Sequence, residues 1–104
     1  MAADIEAVKK EAILYANEVR RQLPVYSAYL FGSYVKGNAD KLSDVDICFF
    51  LRNFEGRDRV DIGIQLLRIA RGFSAYFEPL AFEREDIERK NPFVNEILRT
   101  GQEI

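Results

Sequence analysis

Residues 45–51 read Val-Asp-Ile-Cys-Phe-Phe-Leu, a run that is apolar at both odd and even positions once past its first residues. An extended chain sends alternate side chains to opposite faces, so such a run needs apolar cover on both sides. It therefore predicts a central strand in a small sheet with helices against each face. The rest of the chain has to supply that cover.

Ile5, Val8, Ala12, Tyr15 or Ala16, Val19 and Leu23 recur at three- and four-residue steps, which predicts an amphipathic helix stopped by Pro24. Residues 25–31 are rich in β-branched and aromatic types and predict a strand running into a turn at Gly32-Ser33. A short glycine-containing connection through Gly37 and Asn38 then leads to the central strand. Residues 53–56 read as a loop, and Val60, Ile64, Leu67 and Ala70 mark a helix over about 58–71 with Gly72 suited to its C-terminal cap. A third strand is predicted over 74–82, followed by a highly charged short helix or loop at 83–90. Asn91-Pro92 reads as a helix start, Phe93, Val94, Ile97 and Leu98 as its buried stripe, and Gly101 as its end. The order predicts an α+β domain (α/β-like), a small mixed sheet flanked by helices, with residues 1–104 forming one domain.

Composition narrows the chemistry. The chain has no histidine, which excludes Ser-His-Asp and Cys-His catalysis and every histidine-based zinc site. Catalysis would have to rest on carboxylates, hydroxyls, lysine, arginine or a bound metal ion. A formal charge of −2 argues against a nucleic-acid partner, and the local cluster of Arg52, Arg57 and Arg59 reads as a solvated loop. Cys48, the one cysteine, reads as a buried inert thiol. No apolar run approaches the ~20 residues of a membrane span. The first residues do not resemble a signal peptide. The default expectation is a soluble cytoplasmic protein.

The chemistry-bearing segment begins with Gly32-Ser33 after a strand and, after ten intervening residues, reaches Asp44-Val45-Asp46 at the start of the next strand. Side chains two apart on a strand share a face, so Asp44 and Asp46 project together, and paired carboxylates repel unless a cation lies between them. Mg²⁺ suits such a site, because it takes one or two carboxylates and fills its shell with substrate phosphates. The bland alternative makes Asp44 a cap and Asp46 a strand-edge charge, although Asp46 leads straight into apolar residues where an unpaired carboxylate is costly. Glycine at 32 allows a backbone to approach a phosphate, the following helical turn offers free N–H groups, and the Ser33 hydroxyl adds one donor. By itself Gly-Ser is simply a turn. Glu78 lies mid-strand and shares a face with Tyr76, Leu80 and Phe82 by alternation; it is either a third functional carboxylate or, with Pro79 marking an edge strand, a solvated charge. With Glu78 the three would form an acidic cup fit for two-metal phosphoryl chemistry. Lys36 lies one helical turn beyond Ser33 and could meet a triphosphate, against the plain reading of a surface lysine. Ser43 has no clear role.

Gly-Ser, ten residues, then Asp-x-Asp resembles the signature of the DNA polymerase β-like nucleotidyltransferase superfamily. The short length is similar to its minimal nucleotidyltransferase branch, the MntA-like antitoxins. The likeness extends through FGSYVKGNADKLSDVDICFF, the YFEPLAF strand and the closing NPFVNEILRTGQEI, most of the chain from residue 28 onward. It implies the polymerase β-like fold, triphosphate binding by Gly32 and Ser33, and Mg²⁺ ligation by Asp44 and Asp46. The third acidic position falls on Glu78, where many relatives carry aspartate. It further implies transfer of AMP from ATP to a tyrosine of a partner HEPN-domain ribonuclease toxin, in a hetero-oligomer. The other readings are neutralisation of the partner by binding alone, or transfer to RNA or a small molecule.

Overall fold

The computed structural model describes residues 5–37 and 44–104, with Lys36 described by its backbone alone. The Lys36 side chain, Asn38 and Ser43 thus lie outside the described residues. Along the chain run α1 (Ile5–Gln22), β1 (Val25–Phe31), α2 (Ser33–Lys36), β2 (Val45–Leu51), α3 (Arg59–Ala70), β3 (Phe77–Glu83), a 3₁₀ turn (Arg84–Ile87), α4 (Pro92–Thr100) and β4 (Gln102–Glu103). The sheet is four-stranded, in the order β3-β2-β1-β4. β2 runs antiparallel to β1 and parallel to β3, and β4 runs antiparallel to β1. The expected mixed sheet flanked by helices is the fold observed.

β2 holds the interior position its composition demanded. Val45, Ile47, Phe49 and Leu51 face a core built from Ala12, Tyr15, Ala16 and Val19 of α1 and Ile62, Leu66 and Ala70 of α3. Tyr15 ties that layer together: its hydroxyl donates to the Leu66 carbonyl at 2.7 Å, and its ring stacks on Phe77 with centroids 4.6 Å apart. Cys48 and Phe50 face the other way, into a smaller core with Phe82, Val94 and Ile97. Both layers exclude water fully from β2 beyond Asp46, the condition under which an apolar strand repays its ordering cost.

Four expectations need correction. β3 starts at Phe77, not 74. The Glu11 carboxylate captures the backbone N–H groups of Ser74 and Ala75 and the Ser74 hydroxyl, so those donors are satisfied by α1 and not by a strand ladder. α3 ends on Arg71 in ordinary right-handed geometry, and Gly72 is not its cap. Of the residues that mark α3, only Ala70 is buried; Val60, Ile64 and Leu67 are exposed, and Ile62 and Leu66 face the core instead. In α4, Val94 and Ile97 are buried and Leu98 packs against them, but Phe93 remains half exposed.

The charged stretch 83–90 forms the 3₁₀ turn, and one of its residues is buried. The Asp86 carboxylate accepts from the Glu83 N–H at 2.9 Å and pairs with Arg89 at 3.2 Å and Arg59 at 3.6 Å. Arg59 also lies 4.8 Å over the Phe82 ring, and Arg57 donates to Gln65 at 2.6 Å. These two arginines are thus tied into the fold. Among the described residues no helix is long and apolar enough to cross a membrane.

Candidate active site

The end of β1, the start of β2 and the start of β3 meet at one end of the sheet. Phe31 stands opposite Asp46 across the antiparallel pair, and Asp46 stands opposite Glu78 across the parallel pair. Neighbouring strands are about 4.8 Å apart, so the two carboxylates project side by side. Both belong to the face that carries Cys48, Phe50 and Phe82. Asp44 stands two residues before Asp46, exposed, just outside the strand.

Gly32 follows Phe31 with a φ of 80°, a conformation that favours glycine. A second constraint is stricter. A Cβ at this position would collide with the Asp46 carboxylate oxygen Oδ2. The Gly32 backbone therefore lies against the Asp46 carboxylate, and any side chain would have to push one of them away. Ser33 then opens α2, and Gly37 closes it in left-handed geometry with its N–H donating to the Ser33 carbonyl. Sequence reasoning read the glycine as a route for phosphate; its contact with Asp46 is tertiary and had no signal in the spacing.

The electrostatics agree with the register. The Asp46 carboxyl is held above the usual carboxylate range, first by partial burial, then by the negative charges of Glu78 and Asp44. Both other carboxylates are thus near enough to oppose its ionisation. Among the described residues, no three acidic or cysteine side chains converge closely enough to enclose an ion unaided. Mg²⁺ does not ask for such a cage, since one or two carboxylates and the phosphates of a substrate suffice. Clustered, partly dehydrated carboxylates are a donor set that fits a hard divalent ion.

Two features escaped the sequence. Phe31, opposite Asp46, meets the half-exposed Phe93 edge-on at 6.1 Å, so an aromatic pair borders the carboxylates. Beside Glu78, residues Pro79–Phe82, Arg59, Val60, Gly63 and Phe93 line a hollow of about 470 Å³. Its walls come from β3, α3 and α4, and no local pattern could have announced it. Cys48 is as expected: buried, with burial pushing its thiol up to about 12, and therefore unreactive.

The sequence model described as the nucleotidyltransferase domain matches residues 13–99, a span that includes Gly32, Ser33, Asp44, Asp46 and Glu78. The chain is similar in structure to a candidate nucleotidyltransferase from Sulfolobus solfataricus, with 22% sequence identity and a TM-score of 0.60. That likeness covers 77% of this chain and 70% of the other and is a likeness of fold. No curated protein gives a match.

Proposed function

Since this chain belongs to the nucleotidyltransferase domain family, we propose that it transfers AMP from ATP, with Mg²⁺, to a tyrosine hydroxyl of a partner HEPN-type ribonuclease toxin and so acts as its antitoxin. The observation that carries the transfer chemistry is the cross-strand row of Phe31, Asp46 and Glu78, with Gly32 pressed against the Asp46 carboxylate. Three segments distant in sequence deliver their polar groups to one end of the sheet.

In this reading Asp44 and Asp46 hold the cation and Glu78 completes the acidic group. When bound, Mg²⁺ supplies Lewis-acid stabilisation of the charge that develops on the phosphates. Gly32 and the Ser33 hydroxyl, at the start of α2, hold the triphosphate, with Lys36 a further point charge. The acceptor oxygen forms its bond to the α-phosphorus as the bond to the pyrophosphate oxygen breaks. With no histidine in the chain, the hydroxyl proton passes to a carboxylate, and Glu78, exposed beside Asp46, is placed to take it. Positioning and charge stabilisation supply the rate enhancement.

Labelled ATP, Mg²⁺ and the candidate toxin test the proposal. The toxin should become labelled, and Asp44→Asn with Asp46→Asn should reduce the rate by a factor on the order of 10³. Transfer that is absent, or indifferent to that double substitution, refutes it. A second reading, neutralisation by binding alone, draws support from the exposed Phe93 ring beside the carboxylates. It predicts full neutralisation by the double variant.

A further inference from the structure

We propose that α3 pairs antiparallel with the α3 of a second copy of this chain, so that two chains form a symmetric dimer through Val60, Ile64 and Leu67.

α3 is apolar on two sides. Ile62, Leu66 and Ala70 are buried against the sheet. Val60, Ile64 and Leu67, spaced i, i+4, i+7, form a second stripe on the solvent side, exposed by 69%, 44% and 50%. A surface helix normally needs one apolar stripe, and polar residues occupy the rest. A contiguous second stripe marks a contact surface.

Charge selects the occupant. Asp61 and Arg68 lie seven residues apart, on the same flank of that stripe, at opposite ends of the helix. Neither side chain has an ion-pair partner among the described residues. Two antiparallel helices in contact bring like flanks together, as two-fold symmetry requires. Asp61 of each copy then meets Arg68 of the other, twice per dimer, with Ile64 close to the axis. Antiparallel packing also opposes the two helix dipoles favourably. Parallel packing would instead place the like flanks on opposite sides of the seam and leave Asp61 and Arg68 without each other.

The neighbouring strand edge offers no rival mode. The Val45 N–H donates to the Tyr76 carbonyl, so even-numbered residues of β3 turn to β2 and odd-numbered ones face outward. Pro79 is in the outward set and has no N–H to give, which discourages pairing with another strand. The contact can grow past the helix at its C-terminal end, where Tyr76 is 70% exposed. There Leu67, Ala70, Arg71 and the segment Phe73–Phe77 line a shallow hollow of about 390 Å³. A three-turn helix face falls short of the ~800 Å² per partner of a standard interface, so the dimer should be weak and concentration-dependent.

Sedimentation equilibrium of the full chain between about 1 and 500 µM, at low salt, tests this. The mass should rise from one chain towards two across that range. Ile64→Glu and, separately, Leu67→Lys should leave a folded monomer throughout, with thermal midpoints recording that each variant folds. Asp61→Arg and Arg68→Asp alone should each weaken association roughly ten-fold or more, and the two together should restore it. A monomer at every concentration overturns the proposal. So does association that survives both Ile64→Glu and Leu67→Lys, or a charge-swapped double variant as weak as its parents, the result expected if another protein covers the stripe.

Discussion

The two faces of the sheet are unequal, although β2 feeds both. Its odd-numbered residues, Val45 to Leu51, sit beneath α1 and α3, which together supply seven buried side chains to the larger core named above. Its even-numbered residues begin at half-buried Asp46, with exposed Asp44 just before the strand, reach cover only at Cys48, and there meet the nine-residue α4. The closed face provides stability. The open end of the other face keeps charged groups near water while apolar neighbours hold them in register. A single strand can do both because alternation separates the two tasks by one residue.

Several substitutions would break or sharpen this contrast. The largest effect belongs to the closed face: Phe49→Ala should cost about 4 kcal/mol in denaturant unfolding, since Phe49 is fully buried against Tyr15. A cost near 1 kcal/mol would mean that the two faces share the stability more evenly. Gly32→Ala should come next. It places a methyl on the Asp46 carboxylate at a positive φ, which should destabilise by roughly 1–2 kcal/mol and slow transfer on the order of 10²-fold by displacing the carboxylate proposed to hold the cation. A silent Gly32→Ala would show that the close approach has no part in the chemistry.

Asp46→Asn should have a smaller effect of opposite sign. The folded chain holds the Asp46 proton more tightly than the unfolded chain does, because its pKa is raised by burial, Glu78 and Asp44. Wild-type stability is therefore full below the ordinary carboxylate pKa and declines as pH rises through the folded value. In chelator at neutral pH the asparagine variant should melt a few degrees higher than wild type, and the gain should vanish in acid. A variant that melts lower at neutral pH contradicts the crowding of the three carboxylates. Smallest of all, Phe93→Ala should cost less than about 1 kcal/mol, because its ring is 48% exposed. A change in partner binding without a change in melting temperature would assign that ring to recognition.

Much of this arrangement was legible without coordinates. The bounds of β1 and β2 follow from apolar runs closed by proline, glycine and aspartate, and α4 from Asn91, whose side chain accepts from the Phe93 and Val94 N–H groups. Less legible was the burial of α3, because Val60, Ile64 and Leu67 repeat as regularly as Ile62, Leu66 and Ala70. Periodicity identifies a helix without choosing between two apolar stripes. β4, only two residues long, has no periodicity to read. Asp86 lies in a stretch that reads as charged surface, and only its three partners, Glu83 of β3, Arg59 of α3 and Arg89 just past the 3₁₀ turn, explain why it is buried.

The same division holds for the site. The sequence alone determined which groups could do chemistry: no histidine, a Gly-Ser turn, two aspartates sharing a face, and a glutamate in a strand. Those are local properties, set by residue type and the two-residue period of an extended chain. Only the tertiary structure decided that Glu78 would stand beside Asp46 and that Gly32 would lie on its carboxylate. Register between strands far apart in sequence depends on which apolar side chains pack across both cores at once, and that is a property of the whole fold.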